Sequence, residues 1–449
     1  MSKTIKTKKG LDIKLIGEAN KTIVDIPMSS TYTLSPLDFH GLTPKMLVKE
    51  GETVKVGSPV FCNKYNPEIK FVSPVSGTIK SIVRGAKRRI LDVVISSDAT
   101  QESLEAADVS SDNIKEIFLN GGLWPMIKQR PIDVVADVSK TPKAIFISAF
   151  DSSPLAVDYD FSLQNDVEHF QKGIDALAKL SSCKIYLTLS TDTPSTSFFN
   201  NIKGVEINKM NGKHPSGNVG TQIHHISPIN KGETVWTVSP QDVAIIGRYF
   251  STGVYNAQKI IALTGSEVKK PQYCRIIGSC NLSEILSGNV SEESEIRIIS
   301  GNALTGVAKE KSGYLGYYHN QITILPEGNN YKFFLTSGWL SPGFGSFSNS
   351  RLYPSFLTPN KKYRLDTNTN GEERAFVVTG EMEKVFPFDI LPMHLVKAAI
   401  TKDIDGMENL GIYEVAPEDF ALCEFVCTSK INIQEIIREG LDIIAEECM

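Results

Sequence analysis

The stretch VKEGETVKVGSPVFCNKYNPEIKFVSPVSGTIKSI, Val48 to Ile82, decides the fold of the first hundred or so residues. Two short runs rich in β-branched residues, Thr53 to Val56 and Ile79 to Val83, flank glycines suited to tight turns at Gly51, Gly57 and Gly77. Between the runs, Pro59 leads into Val60 and Phe61, and Pro74 leads into Val75, at mirrored positions. One half of the stretch repeats the other. The pattern therefore predicts a quasi-symmetric sandwich of short strands.

That sandwich resembles the barrel-sandwich hybrid of swinging-arm carriers, which present lipoyl or biotin on a lysine at the apex of the hairpin joining the two halves. Here the apex falls on Asn66-Pro67, a turn dipeptide without an amine. Lys64 and Lys70 stand off the tip, where they read as edge charges on the strands. The sequence predicts the carrier's shape without its chemistry.

At 449 residues the chain exceeds a single core, and about three domains are the starting expectation. With 41% hydrophobic and 22% charged residues it reads as globular, and a formal net charge of -4 offers no basic surplus for nucleic acid. Seven cysteines, sparse and odd in number, point to a reducing compartment. The opening MSKTIKTKKGLDIKL has no apolar core of signal-peptide length, and no apolar run reaches the length of a membrane span, so any membrane association is expected to be peripheral.

Along the chain, Ile114, Ile117 and Phe118 predict a helix from Ser111 to Asn120, stopped by Gly121 and Gly122. The apolar strand AIFISAF, the helix bearing Val167, Phe170, Ile174, Leu177 and Leu180, and the strand CKIYLTLS make a β-α-β unit of the kind that closes into a parallel sheet. A further strand, GVEINKM, extends this Rossmann-like unit. From Pro271 short strands and a Leu-bearing helix read as a β-grasp module. An aromatic segment from Tyr331 to Phe356 follows, with too many Gly, Pro and Ser for regular structure, and amphipathic helices fill the tail. The expected fold class is thus multidomain α/β and α+β. Its parts are a sandwich over 1–100, a Rossmann-like domain over 101–255, a β-grasp module over 256–330, an aromatic connector over 331–386 and a helical domain over 387–449.

Chemical motifs are weak. GKHPSGNV sets Gly212 and Gly217 at Walker spacing, but Asn218 and Val219 stand where Lys and Ser/Thr should reach phosphate and magnesium. No GxGxxG follows AIFISAF. In NGGLWPMIKQRP, a bulky ring at Trp124 and the missing N–H of Pro125 spoil an anion nest, leaving Trp124 two roles, stacking on a flat ligand or plugging an interdomain seam. Cys423 and Cys427 lie on one helical face, with Cys448 alone joining them in the tail, too few thiolates for an iron-sulfur cluster. His224 and His225 read as neighbours on a strand, their rings on opposite faces. No GxSxG elbow, HExxH helix or CxxC pair occurs.

Taken together, NGGLWPMIKQRP, PKAIFISAFDSSPLA, HPSGNVGTQIHHISPI, YLGYYHNQITILPEG and FDILPMHLVKAAITKDIDGMENLG resemble the NqrA family of the sodium-translocating NADH:quinone oxidoreductases, from near Leu11 to near Glu439. That family is similar in architecture to the C subunit of the Rnf complex and to the NADH-binding flavoprotein subunit of respiratory complex I. Its β-grasp module is of the soluble-ligand-binding (SLBB) type. The flavin loop of those relatives corresponds to LNGGLWPMIKQR with Trp124 and Pro125 intruding, and their cluster cysteines are reduced to Cys423 and Cys427.

The resemblance implies a peripheral subunit on the cytoplasmic face of the inner membrane, in a six-subunit complex moving electrons from NADH to ubiquinone and exporting sodium. NADH, flavins and the iron-sulfur cluster are then expected in partner subunits, with no cofactor, metal or catalytic residue on this chain. It also implies a ubiquinone contact, for which His40 and Leu42 in LSPLDFHGLTPKM, with Trp124, Arg130 and Ile132 in LWPMIKQRPIDVV, supply an apolar slot and carbonyl donors. Two other readings stand beside it: a flavin-dependent NADH dehydrogenase-type subunit, and a free-standing SLBB-type binding module.

Overall fold

The computed structural model describes residues 3–98, 100–291, 295–330, 332–336, 338, 340–349 and 352–448. Tyr331 and Trp339 of the aromatic connector lie outside the described residues.

The sandwich has the expected two layers. One sheet runs Thr31–Leu34, Ile90–Ser97, Gly77–Arg84, Thr53–Val54, and the other Pro44–Met46, Pro59–Asn63, Lys70–Val72. Val60, Phe61 and Val75, the mirrored residues of the sequence pattern, are fully buried between them. At the hairpin apex Tyr65 stands in solvent and the Ile69 N–H closes the turn onto Asn66 O at 3.0 Å. Lys70 is tied to Asn120 Oδ1 at 2.8 Å, and the exposed Lys64 lies over the Tyr65 ring at 5.7 Å, off the Asn66-Pro67 apex where a carrier holds its lysine.

The second sheet has seven strands in the order Thr4–Lys6, Glu206–Asn211, Lys184–Ser190, Ala144–Ser148, Val235–Thr237, Lys128–Arg130, Val134–Val135. The first five are mutually parallel and the last two antiparallel. Its N-terminal edge strand comes from the start of the chain. Helices Val167–Leu180 and Pro240–Thr252 pack together on this sheet. The second begins with Ser239 accepting the Asp242 N–H and Pro240 at its first position, and it ends at Gly253 with φ +72. Where the two cross, a Cβ on Gly247 would lie 1.7 Å from His169 O, and one on Gly173 would lie 2.1 Å from Val243 O. Only glycine permits that approach.

The third sheet has six strands: Val307–Lys309, Ile296–Ser300, Gln321–Pro326, Gln258–Thr264, Gln272–Ile277 and, from far upstream, Asn20–Asp25. The first three domains share one apolar core, while the helical tail has its own, built around Phe386, Phe388, Phe420, Ile437 and Leu441 and joined by Ile13, Leu15 and Ile132. The fold class expected from the sequence is the one observed.

One local expectation fails. His224 and His225 lie on a helix, Val219–Ile226, and not on a strand. Val219, Ile223 and Ile226 recur at the helical period and pack on a small cluster with Phe146 and Val235, a signal masked by the polar run between them. The two rings meet edge to face at 5.1 Å. His224 Nε2 accepts the Asp389 N–H at 3.1 Å, which leaves Nδ1 as the donor to Glu414 Oε2 at 2.8 Å; the ring thus bridges to the helical domain.

Candidate functional site

Strand order places a topological switch between Ala144–Ser148 and Val235–Thr237, where ligands enter open α/β sheets of this kind. Here the chain fills that crevice itself. Gln222 Nε2 donates to Ser148 Oγ at 2.6 Å, and the Gly217 N–H donates to Ser152 Oγ at 2.8 Å. A Cβ on Gly217 would lie 2.4 Å from the Ser152 nitrogen, so this glycine serves the packing of one loop on another and cradles no phosphate. His214 sits behind with Nδ1 3.1 Å from Ser152 Oγ, and burial pushes its imidazole down to about 4. From the third sheet Gln321 Nε2 reaches Pro154 O at 3.2 Å and closes the far side.

The segment NGGLWPMIKQRP forms the seam between domains. Gly122, at φ +67, brings its backbone so near the sandwich that a Cβ would lie 2.5 Å from both Val72 methyls. Trp124 is buried, edge to face with Trp236 at 5.6 Å, and its indole N–H donates to Ala136 O at 2.7 Å. Tyr318 Oη donates to Pro125 O at 2.6 Å. Trp124 is thus packed within the seam.

Arg130 ends the segment inside the protein. Its guanidinium meets Asp419 Oδ2 at 2.8 Å and also Glu418, both from the helical domain. A Cβ on Gly220 would lie 2.3 Å from Arg130 Nη1, so the glycine makes room for the ion pair. Lys128 pairs with Asp133 at 2.8 Å, and Arg438 lies 3.6 Å from the same carboxylate. Burial alone would raise Asp133, but Lys128 and Arg130 overcome it and hold the carboxyl below its ordinary value. At Asp419 burial wins over the attraction of Arg130, and the carboxyl is raised.

The other sequence-predicted segment meets this seam from the sandwich side. Phe39 is buried against Phe71 at 4.4 Å and Tyr317 at 4.8 Å. His40 Nε2 lies 2.7 Å from Asp442 Oδ1 on the C-terminal helix Ile433–Cys448, and a Cβ on the neighbouring Gly41 would touch Val134 at 3.6 Å. One turn back on that helix, Arg438 donates to Ile132 O at 2.5 Å. His40 and the Ile132 loop therefore meet at the C-terminal helix, whereas the half-buried Leu42 packs on the core of the preceding domains. Trp124 and Arg130 do not join them; both are sealed within the seam.

Sequence reasoning missed Glu418, Asp419, Arg438 and Asp442. APEDF shows only an acidic helix start, and nothing local says that its carboxylates meet an arginine nearly 290 residues upstream. Cys423 and Cys427 are buried among apolar residues, and among the described residues no group of three His, Cys, Asp or Glu could hold a metal. No helix of the described residues is long and apolar enough to cross a membrane.

A barrel-sandwich hybrid, an α/β domain whose crevice is closed, a mixed sheet and a helical tail define a multidomain α/β and α+β class. The family models agree domain by domain: the NqrA N-terminal barrel-sandwich hybrid domain matches residues 5–98, the NqrA second alpha/beta domain 109–255, and the NQRA C-terminal domain 260–310. The A component of the Na(+)-translocating NADH-quinone reductase of Neisseria meningitidis serogroup A is 37% identical over 99% of this chain and 100% of its own. The corresponding NqrA proteins of Rhodopirellula baltica, 36% identical over 98% of each chain, and of Yersinia pestis bv. Antiqua, 35% identical over 99% and 100%, match as fully. The chain belongs to the NqrA family of the Na(+)-translocating NADH-quinone reductases.

Proposed function

We propose that this chain serves as the NqrA component of a sodium-translocating NADH:ubiquinone reductase, as a peripheral lobe that organises the complex and carries no redox group of its own. The observation that supports it most is the closed switch-point crevice, where Ser152, His214, Gly217 and Gln222 occupy the space a nucleotide or flavin would need. The hairpin apex at Asn66-Pro67, without an amine, points the same way. In this reading NADH, flavins and the iron-sulfur cluster belong to the other subunits of a heterohexamer, and the lobe stands on the cytoplasmic face of the inner membrane. Relatives that match along their whole length favour it over a free-standing SLBB-type module.

In the same reading, the ubiquinone contact of this chain falls at the face where His40 and the Ile132 loop meet the C-terminal helix, with Leu42 two residues from His40 and with Trp124 and Arg130 as rigid support behind. His40 is partly open to solvent, and in this reading its ring turns from Asp442, to which Nε2 now donates, to donate to a quinone carbonyl. Exposed Phe333, Phe334, Phe344, Leu352, Phe356 and Leu357 in the connector are the surface proposed to meet a membrane subunit.

The absorbance spectrum of the purified chain tests the central claim. A colourless protein is expected; a stoichiometric flavin or cluster band rejects it and favours a flavin-dependent NADH dehydrogenase-type subunit. In the assembled complex His40→Ala should raise the KM for ubiquinone severalfold with the KM for NADH unchanged, and equal quinone kinetics would remove the contact from this face.

A further inference from the structure

The carboxyl-end face of the parallel sheet is closed at its switch point but open at its N-terminal edge. There the residues that end and follow three adjacent parallel strands surround a cleft of about 380 Å³: Lys6, Thr7 and Lys8 at the end of the first strand, Ser190, Thr191 and Asp192 at the end of Lys184–Ser190, and Asn211, Gly212 and Lys213 at the end of Glu206–Asn211. That volume suits a small polar molecule or headgroup. Three lysines face one carboxylate.

These lysines are unlike the others of the same sheet. At the amino ends of the strands, Lys143 pairs with Glu233 at 2.8 Å and Lys184 with Glu206 at 3.2 Å. At the carboxyl ends, Lys6, Lys8 and Lys213 have no ion-pair partner among the described residues, in a chain whose net charge is -4. Like charges gathered in one cleft repel, and an anion entering it relieves the repulsion. Neutral groups hold the walls in place. Thr7 and Asn211 lock the edge strand to its neighbour, with Thr7 N–H donating to Asn211 O at 2.8 Å and Asn211 Nδ2 to Thr191 Oγ1 at 2.7 Å. A Cβ on Gly212 would lie 1.8 Å from Thr7 Oγ1, so the chain here is bare backbone. The backbone N–H groups of Lys8, Gly212 and Lys213 donate to no protein acceptor among the described residues. Free amides beside unpaired lysines at the carboxyl ends of parallel strands are the elements of an oxyanion site.

We propose that this cleft binds a phosphate-ester group, held by Lys6, Lys8 and Lys213 and by the amides of the Lys8 and Gly212-Lys213 turns, with Asp192 opposing the anion. The group is carried either by a soluble phosphorylated molecule or by the headgroup of an anionic lipid. The site is independent of the seam and of any quinone contact.

Calorimetric titration of the full chain with inorganic pyrophosphate, together with co-sedimentation with phosphatidylcholine vesicles with and without phosphatidic acid, tests it. Wild type should bind pyrophosphate saturably and in a salt-sensitive way. Reversing two charges with Lys8→Glu and Lys213→Glu should weaken it by on the order of tenfold or more, and Asp192→Asn should tighten it severalfold. All three positions are exposed, so folding is not at stake. Lys87→Glu with Arg88→Glu, at the sandwich hairpin, is the charge-matched control and should change nothing. Pyrophosphate binding with phosphatidic-acid co-sedimentation, both lost in the Lys8/Lys213 variant, assigns a lipid headgroup; pyrophosphate binding alone assigns a soluble ester. The proposal is overturned by a wild type that does not bind pyrophosphate, whether or not it sediments with vesicles, or by binding that the control pair weakens as much as the cleft variant does.

Discussion

Arg130 and Asp419 form an ion pair 2.8 Å long with side chains 1% and 0% exposed, one from the α/β domain and the other from the helical tail. It is a fully buried polar contact between the two. Asp419 also accepts the Ala416 N–H at 2.9 Å, so the same carboxylate fixes the start of its own helical turn.

Removing Asp419 leaves Arg130 with Glu418 as its one direct carboxylate partner. Asp419→Ala keeps a guanidinium that cannot deprotonate inside the protein, now half-paired, and should cost roughly 3 kcal/mol, the lower end for a broken buried pair. Arg130→Met with Asp419→Leu removes the two buried charges and leaves Glu418, whose side chain is 38% exposed, to solvent, so it should recover most of that loss. Chemical denaturation of the two variants against wild type measures it, and equal destabilisation by both would show that packing, not the stranded charge, sets the cost. Limited proteolysis should show the tail released first in the Asp419→Ala protein.

A second prediction concerns acid. Burial holds His214 at about 4, against an ordinary value of 6.5. Between those values the unfolded chain binds a proton that the native chain refuses, so the stability present in full above 6.5 is lost progressively as pH falls towards 4. For so buried a ring the loss reaches roughly 3 kcal/mol at most. His214→Asn should flatten the pH dependence of unfolding free energy in that window, and a variant with the wild-type slope would assign acid sensitivity to other groups.

The helix crossing is tested by Gly247→Ala. Its new methyl would meet the His169 carbonyl at 1.7 Å, and backbone cannot swing aside as a side chain can. A loss of about 3 kcal/mol is expected, at the upper end for overpacking. Gly345→Ala, with no atom within 4 Å of its Cβ, is the control and should be close to neutral. Thermal unfolding of the pair gives the answer.

Much of this architecture was legible because it is written locally. The mirrored Pro-Val pairs put Val60 and Val75 in the sandwich core, and Phe170, Ile174 and Leu177 mark one helical face that is buried as its spacing says. What escaped is non-local. Thr4–Lys6 joins the parallel sheet through backbone pairing with Lys209–Asn211, and a three-residue strand among lysines leaves no apolar alternation to read. Asn20–Asp25, exposed along almost its whole length, likewise completes a sheet whose other strands begin at Gln258. The seam shows the same division. Trp124 announces itself by size, whereas the partners of Arg130 and His40 depend on how the tail folds back, and no spacing in the chain encodes that.

The cysteines give the last prediction. Cys62, Cys274, Cys280, Cys423 and Cys427 are buried, and only Cys183 and Cys448 are partly open. Burial pushes the Cys274 thiol up to about 11 and Cys280 to about 12, so almost none of either is thiolate at neutral pH. Cys423 is raised as well, by burial first and by the nearby carboxylates of Glu383 and Asp419 second. A thiol held protonated among apolar residues neither ligates a metal nor reacts. Iodoacetamide on the native chain should therefore modify Cys183 and Cys448 alone, with the other five labelled only after unfolding. Rapid native labelling of Cys423 and Cys427 would mean that the tail opens readily, and would undercut the view that the ion pair of Arg130 with Asp419 holds it shut.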